Sequence, residues 1–243
     1  MMTKKAIFVL SGNCRTFIDC VDSLYIHIIS TLFSQDVNIY IYLYLKLSDP
    51  GPKGQDGWNF EYKDVDYNMI LDKINKIKKT YPTLNIEYKL LDGNEISDND
   101  LMLQVKDRTL YNGYYAKDSV LLRGLHCHYN FEKCGMYILE KEKSIQSNFD
   151  YIIYVRPDLL FVDCCDNIEM YNKSIITLGA GPNECNNDHI AIIPRHHLDA
   201  FFFDRINVYR KNLLNHFISP EEVYWHTIKY EVKPIGKYHI KRS

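Results

Sequence analysis

The sequence predicts an α/β fold with a mixed, mainly parallel central sheet flanked by helices, and three observations predict it. A continuous apolar run over residues 6–10 ends at Ser11-Gly12 and leads into apolar residues at helical spacing. The same strand, turn and helix rhythm then repeats down the chain. A second continuous run, Tyr151-Ile152-Ile153-Tyr154-Val155, ends abruptly at Arg156-Pro157-Asp158. Strands that are apolar at every position suit a sheet covered on both faces, which is the usual state of a parallel sheet.

Residues 5–10 read as the first buried strand. Over 16–33, Phe17, Val21, Leu24, Ile28 and Leu32 recur at helical spacing and predict an amphipathic helix. Residues 37–45 are β-branched and aromatic and predict a second strand, and the Gly-, Pro- and Asp-rich stretch 48–58 predicts a surface loop. A helical pattern over 65–81 stops at Pro82, and 84–91 reads as another strand. Residues 92–117 carry no clear period and predict a long loop, the kind that often binds a ligand. The longest helix is expected over 119–146, followed by the central strand 151–155, short strands over 174–178 and 189–194, and helices over 198–217 and 220–230. Tyr238-His239-Ile240 alternates like a strand.

A chain of 243 residues supports one core, and the absence of repeats or linkers predicts a single domain over 1–243. A net charge of -2, with both signs mixed along the chain, supplies no basic field and argues against nucleic acid as a partner. The 20 tyrosines, without a cationic groove beside them, read as strand and core-edge residues. The first apolar run is too short for a signal-peptide core and no stretch reaches membrane-spanning length, so a soluble, cytoplasmic protein without a transmembrane segment is expected, in host cytoplasm if the source is viral. Seven cysteines without a CxxC pair indicate neither a disulfide framework nor a zinc site.

Ligands of open α/β sheets bind beyond the carboxyl ends of the strands, so Asp158 is the first residue to consider. A carboxylate at that position can hold a divalent cation, which in turn neutralises a diphosphate; it can equally be a turn aspartate beside an ion-paired arginine. Ser11, Gly12 and Arg15 follow the first strand, where small residues allow close backbone approach and a guanidinium can meet an anionic diphosphate. The bland alternative there is a strand-to-helix turn whose arginine pairs with a surface acid.

The segment Phe149-Asp150-Tyr151 through Arg156-Pro157-Asp158-Leu159-Leu160-Phe161 resembles the "YD-hydrophobic-RxRxDLxF" stretch of GT-A-like, Rossmann-like glycosyltransferases of microbial, viral and algal surface-glycan pathways. Residues 8–17, FVLSGNCRTF, resemble the family's "xSGxxRTF" opening. Asn187-Asp188-His189-Ile190-Ala191 is similar to its "NDxFAxG" segment, with Pro194 and Arg195 replacing the usual small residues, and Pro220-Glu221-Glu222 is similar to its late "xPE" element. The resemblance implies transfer of a hexosyl or pentosyl group from a nucleotide-diphosphate sugar to a hydroxyl of a glycan or glycoprotein acceptor. It implies Mn2+ or Mg2+ as cofactor, held by Asp158 and completed by the late His239. An Asp-x-Asp motif is usual at that point, and here Arg156 replaces its first acid, so Arg156 is a candidate for contact with the phosphates itself. Transfer passes through an oxocarbenium-like centre and an inverting enzyme needs a carboxylate to take the acceptor proton, for which Asp188, Glu221 and Glu222 are candidates; Asp188 could equally be a turn residue. A catalytically silent glycan- or nucleotide-binding module of the same fold is the competing reading. A dinucleotide or methyl-donor site is weaker, because Gly12 stands alone without a GxGxxG run.

Overall fold

A computed structural model describes residues 3–14, 16–33, 37–47, 65–106, 118–180, 186–211, 230–233 and 235–240. The strands among them are β1 (Lys4–Asn13), β2 (Val37–Lys46), β3 (Asn85–Leu91), β4 (Tyr151–Val155), β5 (Leu159–Phe161), β6 (Ile176–Ala180), β7 (Asn186–Ile193), β8 (Tyr230–Lys233) and β9 (Tyr238–Ile240). The helices are α1 (Phe17–Leu24), α2 (Ser30–Leu32), α3 (Tyr67–Thr80), α4 (Asp98–Met102), α5 (Asp118–Ser144), α6 (Leu198–Phe202) and α7 (Asp204–Lys211). Among the described residues a seven-stranded sheet runs in the order β3-β2-β1-β4-β7-β6-β8, and β5 pairs with β9 in a small second sheet. Within the large sheet only β7 opposes its neighbours; the other pairings are parallel. The mixed, mainly parallel sheet flanked by helices is therefore the architecture the sequence predicts.

β1 is the sheet's spine, and its alternation feeds two cores. Ala6, Phe8 and Leu10 point to the face covered by α1 and α3, where Phe17, Leu24, Ile70 and Ile74 complete a cluster. Ile7 and Val9 point to the other face, against Phe131, Cys134 and Ile138 of α5 and Phe201 and Phe202 of α6. A strand alternates its side chains between faces, so a run with no polar position has to be buried on both.

The chain moves from β1 outward through β2 and β3, then returns to β4 on the other side of β1. Connections diverge between β1 and β4, the switch point at whose carboxyl ends open α/β sheets form their ligand crevice. There Gly12 adopts a φ of +146°, and a Cβ on it would lie 3.1 and 3.3 Å from Cδ and Cγ of Pro157. Only glycine meets both demands without strain, so the end of β1 and the β4–β5 turn are held in direct contact.

Several elements depart from the sequence expectation. The helix expected over 16–33 is interrupted by a π-helical turn, Tyr25–Ile29. The hydroxyls of Ser30 and Thr31 donate to the carbonyls of Ile26 and His27, both at 2.6 Å, and the Cys165 N–H donates to His27 O at 3.2 Å, so carbonyls of the widened turn are bound from outside the helical ladder. Within the expected 92–117 loop, α4 starts at Ser97, whose side chain caps the Asp100 N–H at 3.1 Å. The helix expected over 198–217 breaks at Phe203 into α6 and α7 within the described residues. Tyr230, expected to end a helix, instead opens β8 by pairing with Ile176. The strands expected over 174–178 and 189–194 are β6 and the longer β7. Among the described residues no helix is long and apolar enough to cross a membrane, and the six described cysteines are free thiols.

Arg195, one of the departures from the family-like pattern, has a structural partner. Its Nε and Nη2 donate to the buried Glu142 carboxylate at the end of α5, at 2.8 to 3.0 Å, and Glu142 Oε1 also accepts the Phe149 N–H at 2.9 Å. One carboxylate thus ties the long helix to the start of β4 and to the β7–α6 connection.

Two substitutions check this framework by urea unfolding. Gly12→Ala is expected to cost about 1–3 kcal/mol through backbone strain and contact with Pro157, and an unchanged midpoint would contradict the close approach. Glu142→Ala is expected to cost about 1–3 kcal/mol, with Arg195→Met recovering part of the loss in the double variant, because the half-exposed guanidinium is then no longer left beside an empty site.

Candidate active site

The crevice at the β1–β4 edge is built from segments far apart in sequence. Ser11 is buried, its carbonyl accepting the Tyr154 hydroxyl at 3.3 Å. The Cys134 thiol of α5 bonds the Ser11 side chain, and burial pushes that thiol up to about 12. Since β7 is antiparallel to β4, its first residues arrive where β4 ends: Ile190 pairs with Val155, and the Arg156 N–H donates to His189 O at 2.7 Å. The backbone of Asp188 is therefore adjacent to the Arg156 turn. The side chain of Asp188 lies outside the described residues, as do Arg15, Glu221 and Glu222.

Arg156 and Asp158 form a two-pronged ion pair across Pro157. Nε donates to Oδ1 at 3.0 Å and Nη2 to Oδ2 at 2.6 Å. Asp158 is 5% exposed, whereas about a third of the Arg156 side chain meets solvent. A buried carboxylate requires such a partner, and the planar fork uses both of its oxygens at once. His239 stands on β9 opposite Leu160 of β5 and is exposed.

These residues do not fit the Mn2+ or Mg2+ expected at Asp158 and His239. Both Asp158 oxygens are engaged by a guanidinium, and among the described residues no three His, Cys, Asp or Glu side chains converge to hold a metal. Seating a dication there would strip two charge-assisted hydrogen bonds. It would also set two like charges against Arg156, a repulsion of about 4 kcal/mol per unit charge at about 4 Å in a surface-like dielectric. Asp158 stands in the structure as an aspartate beside an ion-paired arginine.

A second polar group at the same sheet edge escaped the sequence reading. Lys46 ends β2 in register with Asn13 and is buried, its ammonium donating to Asn94. Asn94 contacts His126 Nε2 at 3.1 Å, and that nitrogen lies 2.7 Å from Asp98. Beside it the Tyr44 hydroxyl donates to Glu95 at 2.5 Å; burial first, then that carboxylate, hold the phenol well above its ordinary range. The available signal was a lysine closing a buried strand, where a charge is retained only if it has a partner.

No protein-family model matches the chain, and no curated protein matches its sequence. Among solved structures, the glycosyltransferase GlyE of Streptococcus pneumoniae TIGR4 aligns with 96% of this chain and 45% of its own, at 10% identity and a TM-score of 0.42. The mannosyltransferase PcManGT of Pyrobaculum calidifontis, in complex with GDP-Man and Mn2+, aligns over 95% of this chain and 55% of its own, at 7% identity and 0.45. The galactosyltransferase LgtC, in complex with donor and acceptor sugar analogs, aligns over 93% and 72%, at 8% identity and 0.44. The chain spans about half the length of the first two of these structures.

Proposed function

We propose that the chain is a glycosyltransferase that moves a sugar from a nucleotide-diphosphate sugar to a hydroxyl of a glycan acceptor, in the crevice at the β1–β4 edge. The observation that carries this reading is a convergence. The segments 8–17, 149–161 and 187–191, which hold three of the family-like motifs, meet at one sheet edge although up to about 180 residues separate them in sequence.

The roles follow from chemistry and position. Ser11 and the backbone of Gly12, whose side-chain position is taken by the Pro157 ring, form the end of β1 that a diphosphate approaches, with Arg15 and Arg156 as its cationic contacts. Cleavage of the donor's glycosidic bond builds positive charge at the anomeric carbon, and the acceptor hydroxyl gives up its proton as it attacks. Asp188 is the first candidate to take that proton, because β7 brings its backbone to the Arg156 turn. Glu221 and Glu222 remain the other candidates. The divalent cation implied by the family resemblance has no part in this reading.

UDP-, GDP- and dTDP-sugars, titrated separately, test it by thermal shift. The matching donor is expected to raise the melting temperature by several degrees, since saturation at about 100 times Kd adds about 2.7 kcal/mol to the folded state. If none raises it, the transferase reading fails and glycan binding becomes the next assay. With the matching donor, Asp188→Asn is expected to lower the transfer rate by about 10²-fold or more while leaving the thermal shift intact. Loss of the shift together with the rate would make Asp188 a binding residue instead.

A further inference from the structure

We infer that Arg156 is the resident counter-charge of Asp158, so that the donor's diphosphate is bound without a divalent cation at this carboxylate. For its donor half the inference rests on the transferase reading; its cation half rests on the geometry alone.

The ion pair is fixed at both ends. The Arg156 N–H is bonded to His189 O, Pro157 between the two residues lies against Gly12, and Leu159, next after Asp158, is already paired with Ile240 in the small sheet. A two-residue spacing across such a turn brings side chains 156 and 158 to one point. Two acids there would converge on a cation; an arginine and an acid converge on each other. Hydrated Mg2+ or Mn2+ needs open carboxylate oxygens with room for water, and Asp158 has both oxygens bonded and is 5% exposed.

Asp158 is then a positioning residue. It orients a guanidinium whose side chain is about a third exposed at the carboxyl edge of the sheet, and Arg156 cancels the carboxylate charge that would repel a diphosphate. The pair does with one covalently attached cation what a metal clamp does with a borrowed one.

Manganese binding decides the cation half without any donor. The electron paramagnetic resonance signal of free aqueous Mn2+ is followed while wild type, Asp158→Asn and Arg156→Asp are titrated in, with circular dichroism as the folding check. Wild type and Asp158→Asn are expected to deplete the signal equally, within about twofold, and Arg156→Asp to bind about tenfold or more tightly. A stoichiometric manganese in wild type that Asp158→Asn loses would overturn the inference. Should Arg156→Asp fail to fold, the comparison of wild type with Asp158→Asn decides alone.

The donor half is read from the nucleotide-sugar thermal shift in EDTA and in Mn2+. Equal shifts in both are expected, with Arg156→Met and Asp158→Ala abolishing the response and Asp158→Asn, which keeps an acceptor for the fork, retaining part of it. A shift that requires Mn2+ overturns the inference. If no nucleotide sugar shifts any form, the transferase reading has failed, while the manganese comparison still reports on the seat at Asp158.

Discussion

At the carboxyl ends of β1 and β4 the backbone of Gly12 meets the ring of Pro157 more closely than a side chain on residue 12 ordinarily permits, and the geometry of the site depends on that approach. Gly12 turns at a φ of +146° with the Pro157 ring directly against it. The ring fixes where the chain leaves β4, and hence where Arg156 and Asp158 stand. The Arg156 N–H then anchors the first residues of β7 through His189. The contact is rigid because β1 is buried on both faces, with one core beneath Ala6, Phe8 and Leu10 and another beneath Ile7 and Val9.

The arginine fork on a shielded carboxylate recurs at three places in the fold, and the Arg195–Glu142 pair lies at the opposite end of the sheet from Arg156–Asp158, where β4 begins and β7 ends. Arg156 holds Asp158, Arg195 holds Glu142, and Arg210 holds Glu132 through both terminal nitrogens. Each pair lies at the end of an element or between two elements, so each fixes a direction as well as a charge. Two parallel hydrogen bonds define the plane of the partner, which a lysine would leave free to rotate. For Asp158 the consequence is chemical: a guanidinium spans both oxygens, and the carboxylate serves as its orienting acceptor.

Much of the fold was legible because burial on two faces leaves a trace in the sequence. The runs 5–10 and 151–155 admit almost no polar residue, and the two strands stand side by side in the interior of the sheet. Where the trace was weak, the reading erred. At the π-helical turn Tyr25–Ile29 a carbonyl is bound by the backbone of Cys165, 136 or more residues further on, a contact that no local pattern announces. Leu159–Phe161 and Tyr238–Ile240 are each three residues long and become strands only through one another.

The sheet's central strands, the glycine and proline that let two of them end in contact, and the set of polar residues placed beyond those ends are all written in local composition and spacing. Tertiary structure decided which charge meets which. Arg156-Pro157-Asp158 is compatible with a metal ligand beside a free arginine or with a closed ion pair, and Lys46, Asn94, His126 and Asp98 give no sign in sequence that they form one chain of contacts. The reason is physical: a strand's period depends on its own residues, whereas the partner of a buried charge depends on which distant segment the topology brings within about 3 Å.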